Sequence, residues 1–71
     1  MTNTNLLRKA IENSGLKKKF IAQTVGLSYQ GYLNKETGKT EFTQSEIETI
    51  SNVLRIDQHE REKIFFDSTV D

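Results

Sequence analysis

The apolar residues in the first half of the chain recur at the three- and four-residue spacing of amphipathic helices. This spacing predicts a first helix from Asn5 to Ser14 and a second from Lys18 to Val25, each followed by a glycine that can end a helix. A third helix is predicted from Ser28, a good N-cap residue, to about Lys35. The residues expected on the apolar sides of the first two helices are Leu6, Leu7, Ala10, Ile11, Phe20, Ile21, Ala22 and Val25.

The second half of the chain carries two signals for the start of a helix. Thr43 and Glu46 fit a capping box, in which each side chain accepts a hydrogen bond from the other residue's backbone N–H. Phe42 and Ile47 stand where a hydrophobic staple would place them, and Asp57 is the expected cap of a fifth helix. The residues expected to form the apolar sides of these two helices are Ile47, Ile50, Val53, Leu54, Ile64, Phe65 and Phe66.

Length and composition support one small all-α domain over residues 1–71, with an ordered core at about 5–67 and a polar, frayed end at 67–71. The chain has no proline and four glycines, which favours helices joined by short turns. It has no cysteine, so disulfides and cysteine-ligated zinc are excluded. No apolar run approaches the roughly 18 residues that span a membrane, and the N-terminus does not read as a signal peptide. We therefore expect a soluble, cytoplasmic protein.

The charges are polarised along the chain although the formal net charge is zero. Residues 1–40 contain seven basic and two acidic side chains, whereas residues 41–71 contain three basic and eight acidic ones. Such asymmetry indicates charged partners. The alternative interpretation is that these side chains are only the solvated faces of helices.

The spacing of small and apolar residues between Lys18 and Gly38 fits a helix-turn-helix. Two short helices that cross steeply need a small residue at the crossing, and Ala22 occupies that position. Gly26, four residues later, tolerates the positive φ of the turn, and Leu27 follows as its apolar anchor. The second helix of the unit needs an inward apolar side chain, for which Tyr32 or Leu33 is suitable; we predict that Tyr32 lies in the core.

The stretch GLKKKFIAQTVGLSYQGYLNKETGKTEFTQSEI, residues 15–47, resembles small Cro-like and lambda-repressor-like helix-turn-helix regulators of Gram-positive temperate phages. The sequence EKIFFD at 62–67 is similar to the ends of such proteins, so the resemblance covers about residues 5–67. Within that group the chain most resembles the modulator-of-repression type of anti-repressor of lactococcal phages. The resemblance implies a five-helix bundle with a lambda-repressor-like DNA-binding fold, in the cytoplasm of a bacterial host.

In this architecture the N-terminal and outward residues of the second helix of the unit face the partner. The residues expected to contact DNA or a protein partner are Ser28, Tyr29, Gln30, Leu33, Asn34 and Lys35, and those expected to contact phosphates are Lys17, Lys18, Lys19 and Lys39. Gln30 and Asn34 can each make a bidentate contact to adenine, but the helix lacks an arginine, the usual partner of guanine. Gly31 also weakens the helix by roughly 1 kcal/mol relative to alanine.

Two functions are consistent with these features, and both antagonise a lysogenic repressor. In the first, favoured here, the chain is an anti-repressor that binds the repressor's DNA-binding domain. An acidic surface would then compete with DNA for the repressor's basic surface, and its expected residues are Glu46, Glu48, Glu60 and Glu62. In the alternative, the chain binds operator DNA directly as a Cro-like dimer. The predicted partners are therefore the phage lysogeny repressor, operator DNA or both, and no membrane or small-molecule substrate.

The histidine and the remaining aromatic residues do not form a recognisable site in the sequence. His59 has neither a second histidine nor a cysteine near it, so it is expected on the surface of the fifth helix and not as a metal ligand or catalytic base. Tyr29 is expected to be exposed, whereas Phe65 and Phe66 are expected in the core and not at a dimer interface. No catalytic motif, cofactor site or metal site is predicted, and we expect that the chain is not an enzyme.

Overall fold

The computed structural model describes residues 1–67, which form five α-helices and no β-strand. In chain order the helices are α1 (Thr4–Ser14), α2 (Lys18–Val25), α3 (Tyr29–Glu36), α4 (Gln44–Leu54) and α5 (Gln58–Phe65). The sequence-based prediction of an all-α protein is therefore confirmed for this part of the chain. Within residues 1–67 no helix combines the length and apolar character that crossing a bilayer requires.

The helix starts follow the local signals in the sequence. Thr43 and Glu46 form the predicted capping box at α4, and Asp57 accepts a hydrogen bond from the backbone of Glu60 at α5. Ser28 caps α3 in the same way. The cap of α1 is Asn3, two residues before the predicted start, and its side chain accepts a hydrogen bond from Leu6.

The core lies where all five helices meet. α2 packs against α3 and α4, while α1 packs against α5. The core contains two aromatic contacts: the ring of Phe42 lies 6.2 Å from that of Tyr32 and 5.5 Å, edge-on, from that of Phe65. The buried apolar residues are Leu7, Ile11, Ile21, Ala22, Tyr32, Phe42, Ile47, Ile50, Leu54, Ile64 and Phe65. The prediction that Tyr32 belongs to the core is confirmed.

Two phenylalanines predicted for the apolar sides of their helices are exposed. Phe20 on α2 is 50% exposed and Phe66, the C-cap residue of α5, is 48% exposed. α2 has only two turns and buries Ile21 and Ala22, so its neighbour Phe20 lies on the outer side of the helix. α5 likewise buries Ile64 and Phe65, and a domain of this size has no room for the next ring.

The two ends of the described chain are held together. The backbone N–H of Asn3 donates to the carbonyl of Ile64 at 2.6 Å, and the Asn3 amide donates to the carboxylate of Asp67 at 2.9 Å. The N–H of Asp67 donates to the carbonyl of Met1 at 3.2 Å, so the prediction that fraying starts at residue 67 is wrong for Asp67 itself. Residues 68–71 of the predicted frayed end lie outside the described residues.

Candidate interaction surface

α2 and α3 are joined by a tight turn that the sequence specifies locally. Gly26 has φ of +83°, in the left-handed region that glycine adopts without strain. The N–H of Leu27 donates to the carbonyl of Ala22 at 2.9 Å, which closes the end of α2. Ala22 is buried with 2% exposure, as a small residue at a helix contact should be.

The first turn of α3 presents polar and aromatic groups to solvent. Ser28, Tyr29 and Gln30 are exposed, and the Gln30 amide donates to Oδ1 of the half-buried Asn34 at 3.0 Å. The Lys19 ammonium group lies 5.8 Å from the centre of the Tyr29 ring, within cation–π range. Tyr29 is 42% exposed, so the expectation of an exposed aromatic at this position is confirmed.

Gly31 is explained by the cap of its own helix. The Ser28 hydroxyl accepts a hydrogen bond from the Gly31 N–H at 3.0 Å, and a Cβ atom at residue 31 would lie 3.0 Å from that same oxygen. A side chain here would push the capping hydroxyl away. Sequence reasoning treated Gly31 only as a weak point of the helix, although Ser28 three residues earlier was the signal for this contact.

Three of the predicted contact residues face the protein itself. Leu33 is half-buried and packs against the core. Lys35 donates to Oε1 of Glu46 at 2.5 Å, in an ion pair whose side chains are 16% and 13% exposed. The same carboxylate also completes the capping box of α4 by accepting from the N–H of Thr43 at 2.8 Å. Glu46 is thereby removed from the predicted acidic surface, and Lys35 is not free to bind a phosphate.

Lys18, a predicted phosphate contact, also forms an ion pair within the protein. Its ammonium group lies 2.8 Å from Oε1 of Glu36, a carboxylate with 2% exposure. Tyr32 is fully buried on the same helix as Glu36, and its burial first, and then the negative charge of Glu36, raise the pKa of its hydroxyl. Sequence reasoning missed this arrangement. Glu36 lies four residues after Tyr32, so the helical spacing alone could have suggested the pair.

Six of the charged residues predicted to contact a partner remain open to solvent. Lys17, Lys19 and Lys39 are exposed, as are the carboxylates of Glu48 on α4 and of Glu60 and Glu62 on α5. Glu60 lines a groove between α1 and α5 together with Lys9 and Lys63, so its surroundings have mixed charge. Glu62 accepts a hydrogen bond from Gln58 at 3.4 Å. Of the predicted acidic surface, Glu48, Glu60 and Glu62 therefore remain exposed, on two helices, whereas Glu46 does not.

His59 is exposed in the first turn of α5, where the sequence predicted it. No group of three or more metal-ligating side chains comes together in residues 1–67. Comparisons with protein-family models, with curated proteins and with solved structures found no match.

The Lys35–Glu46 pair makes the stability of the fold sensitive to acid. Burial acts to raise the pKa of Glu46, but the hydrogen bonds from Lys35 and Thr43 and the Lys35 charge outweigh it and lower that pKa below its usual value. A carboxylate whose pKa is depressed by folding stabilises the fold above its unfolded-state pKa, about 4.3. That stabilisation is lost as the pH falls through the folded-state pKa.

We expect Glu46→Gln to lower the free energy of unfolding at pH 7 by about 1 kcal/mol, because hydrogen bonds to a charged group are stronger than those to an amide. The difference between variant and wild type should shrink as the pH falls from about 5 towards 3. Urea unfolding across this range measures both quantities. Glu48→Gln, an exposed change on the same helix, is the matched control and should leave stability and its pH dependence unaltered.

Proposed function

We propose that α2, the turn and α3 form a helix-turn-helix unit of a phage genetic-switch regulator. We further propose that the regulator antagonises the lysogenic repressor by binding the repressor's DNA-binding domain. The observation that carries the proposal is the neutralisation of Lys35, the one cation on α3, by Glu46 at 2.5 Å, while Tyr29 at the start of α3 stays exposed. The resemblance of residues 15–47 to phage regulators supports the same class of protein.

The neutralised lysines argue against tight binding to DNA. Affinity for DNA rises with the number of phosphates that a protein neutralises, because each contact releases condensed counterions. Lys18 and Lys35 each pair with a carboxylate of the same chain, so two of the seven basic residues in the first 40 are already engaged. Of the lysines predicted to contact phosphates, Lys17, Lys19 and Lys39 are left exposed.

The exposed aromatic surface favours a protein partner. Tyr29 is 42% exposed, and the Lys19 ammonium group lies over its ring. Tyrosine is enriched in protein interfaces, where it contributes a large share of the binding energy. The exposed carboxylates of Glu48, Glu60 and Glu62 complement the basic surface that any repressor presents to DNA. Together these groups support binding to the repressor and competition with its operator.

A second candidate function is direct binding to operator DNA in the manner of Cro. The observation in its favour is the exposed Gln30 side chain, hydrogen-bonded to Asn34 on the outer side of α3. Both amides are able to recognise adenine in the major groove. Lys17, Lys19 and Lys39 are exposed and available for phosphates.

The experiment that separates the two functions titrates the purified chain against fluorescent operator DNA and, separately, against the DNA-binding domain of the repressor from the same phage. Each titration is made at two salt concentrations. The proposal expects a saturable complex with the repressor domain and only weak, sequence-independent binding to DNA that disappears at the higher salt concentration. Specific operator binding with no repressor complex would establish the second candidate instead.

We expect Tyr29→Ala to weaken the repressor complex by about 2 kcal/mol, roughly 30-fold in Kd, because buried aromatic anchors dominate such interfaces. The loss should exceed that of Glu48→Lys, a single charge reversal at the rim. Isothermal titration calorimetry measures both. Phe66→Ala, which also removes an exposed aromatic ring, is the matched control and should bind like wild type. Equal affinity for Tyr29→Ala and wild type would exclude the first turn of α3 from the interface.

We expect the double variant Lys17→Ala, Lys19→Ala to lower any DNA binding equally for operator and random duplexes and to flatten its dependence on salt. The reason is that phosphate contacts are independent of sequence. Lys18 is not substituted because it forms an ion pair with the buried Glu36. Fluorescence anisotropy on the two duplexes measures the effect. If Gln30→Ala instead weakened binding to operator DNA and not to the random duplex, α3 would recognise bases.

A further inference from the structure

Three lysines from separate parts of the chain meet at the C-terminal end of α3. Lys35 lies in the last turn of that helix. Lys18, at the start of α2, reaches it through the 2.8 Å contact between its ammonium group and Glu36. Lys39 follows closely, since its backbone N–H donates to the carbonyl of Asn34 at 2.8 Å. Lysines grouped at one end of a helix in a helix-turn-helix unit are suited to phosphate contacts.

Two carboxylates of the same chain neutralise two of these three lysines. Glu46 on α4 lies 2.5 Å from Lys35, and Glu36 on α3 lies 2.8 Å from Lys18. Both carboxylates are shielded from water, with side-chain exposures of 13% and 2%. A carboxylate this close to an ammonium group cancels most of the attraction that a phosphate in solvent would feel. The cations are therefore present at the end of α3, but two of them are masked.

The cap of α4 does not require the negative charge of Glu46. The third helical residue of a capping box is glutamate or glutamine, because the cap needs only a side-chain oxygen that accepts the backbone N–H. Thr43 donates this N–H to Glu46 at 2.8 Å, and the amide oxygen of a glutamine would also accept it. What the charge adds is the ion pair with Lys35.

Stability alone does not explain the buried carboxylate of Glu36. Transfer of a carboxylate and an ammonium group out of water costs free energy that their mutual attraction offsets only with excellent geometry. Apolar residues of similar volume are often at least as stabilising as such a pair. What Glu36 does change is the charge that Lys18, 39% exposed, presents at the surface.

We propose that Glu46 and Glu36 are specificity-determining residues that keep nucleic acid off α3 by holding Lys35 and Lys18. Without these two carboxylates, the end of α3 is a phosphate-binding surface formed by Lys18, Lys35 and Lys39. The inference rests on the proposed function in taking α3 as the surface that meets the partner. It adds that the exclusion of DNA results from two carboxylates and not from a shortage of lysines.

The test measures the binding of Glu46→Gln to a random DNA duplex by fluorescence anisotropy over a series of salt concentrations. Release of Lys35 adds one phosphate contact, which steepens the slope of log association constant against log salt by about 0.9. We expect an affinity about tenfold higher than that of wild type at about 50 mM salt. Glutamine retains the capping box, and circular dichroism checks that the variant is folded.

Two control variants identify the cause of the gain. Glu48→Gln removes the same charge from an exposed position of α4 that forms no ion pair within residues 1–67. It should raise the affinity by no more than about twofold and leave the salt slope unchanged, because an isolated exposed charge is screened. In the double variant Lys35→Gln, Glu46→Gln the gain should disappear, because the lysine that makes the new contact is absent.

Glu36→Gln repeats the test at the second ion pair and leaves the cap of α4 intact. It should gain affinity through Lys18 as Glu46→Gln does through Lys35. Glu12→Gln, which removes an exposed carboxylate on α1, is its control and should bind DNA like wild type.

The proposal is overturned if either folded variant, Glu46→Gln or Glu36→Gln, binds DNA like wild type. It is also overturned if the exposed controls gain as much, or if the gain of Glu46→Gln survives the loss of Lys35. These outcomes concern DNA alone. Whether the chain binds a repressor is decided by the separate titration with the repressor domain, so each proposal can fail without the other.

Discussion

Replacement of Ala22 by glutamate is expected to unfold the domain. Ala22 is 2% exposed on α2, and its carbonyl accepts the hydrogen bond that closes the turn towards α3. A glutamate would place an unpaired charge in the core, at a cost of several kcal/mol even after the structure relaxes. That cost is comparable to the whole stability of a small domain, about 5 kcal/mol. Far-UV circular dichroism and a thermal melt measure the result.

The matched control for this substitution is Gln23→Glu. Gln23 is the next residue of α2 and is exposed, so the control adds the same charge to the same helix without burying it. Its spectrum and melt should equal those of wild type. An unchanged melt for Ala22→Glu would contradict the burial of α2 against its neighbours and with it the proposed helix-turn-helix.

Loss of the Lys18 ammonium group is expected to have the second largest effect. Glu36 is 2% exposed, and Lys18, 2.8 Å away, is its only ion-pair partner within residues 1–67. Removing one member of a buried pair costs 3–5 kcal/mol in general, but Lys18 is itself 39% exposed and water screens the pair, so we expect Lys18→Ala to cost about 2 kcal/mol. In urea unfolding, the change appears as a lower midpoint concentration of urea with an unchanged m-value.

Two comparisons test the cause of that loss. Lys17→Ala, which removes an exposed cation one residue earlier, should leave stability unchanged. In the double variant Lys18→Ala, Glu36→Gln, part of the stability should return because no charge remains buried. If Lys18→Ala lowered stability no more than Lys17→Ala, Lys18 would not be what stabilises the buried carboxylate of Glu36.

The helices could be predicted from the sequence because their signals are local. The capping box of Thr43 and Glu46 and the glycines after α1 and α2 act within a few residues, and the structure contains all of them. The apolar spacing also identified most of the core, including Tyr32. The errors at Phe20 and Phe66 arose because spacing gives the side of a helix but not how much of that side a small domain can cover.

The sequence could not predict which charged residues form ion pairs and which stay exposed, because pairing depends on which helices pack together. Lys18 and Glu36 are 18 residues apart, and Lys35 and Glu46 are 11 apart, so neither pair follows from helical spacing. Counted along the sequence, Lys18 and Lys35 belong to the basic half and Glu46 to the acidic half, whereas Glu36 is an acidic residue within the basic half. In the folded protein they neutralise each other. The surface left to a partner is therefore less basic around α3 and richer in exposed aromatic rings than the sequence alone indicates.

A release experiment tests the proposal that this chain removes a repressor from DNA by binding the repressor itself. Repressor is first bound to a fluorescent operator, and this protein is added in excess while the bound fraction and the composition of each complex are followed. We expect that free operator appears, that the repressor is recovered in a complex with this protein, and that this protein stays off the DNA. Release that occurs only when this protein itself occupies the operator would contradict it.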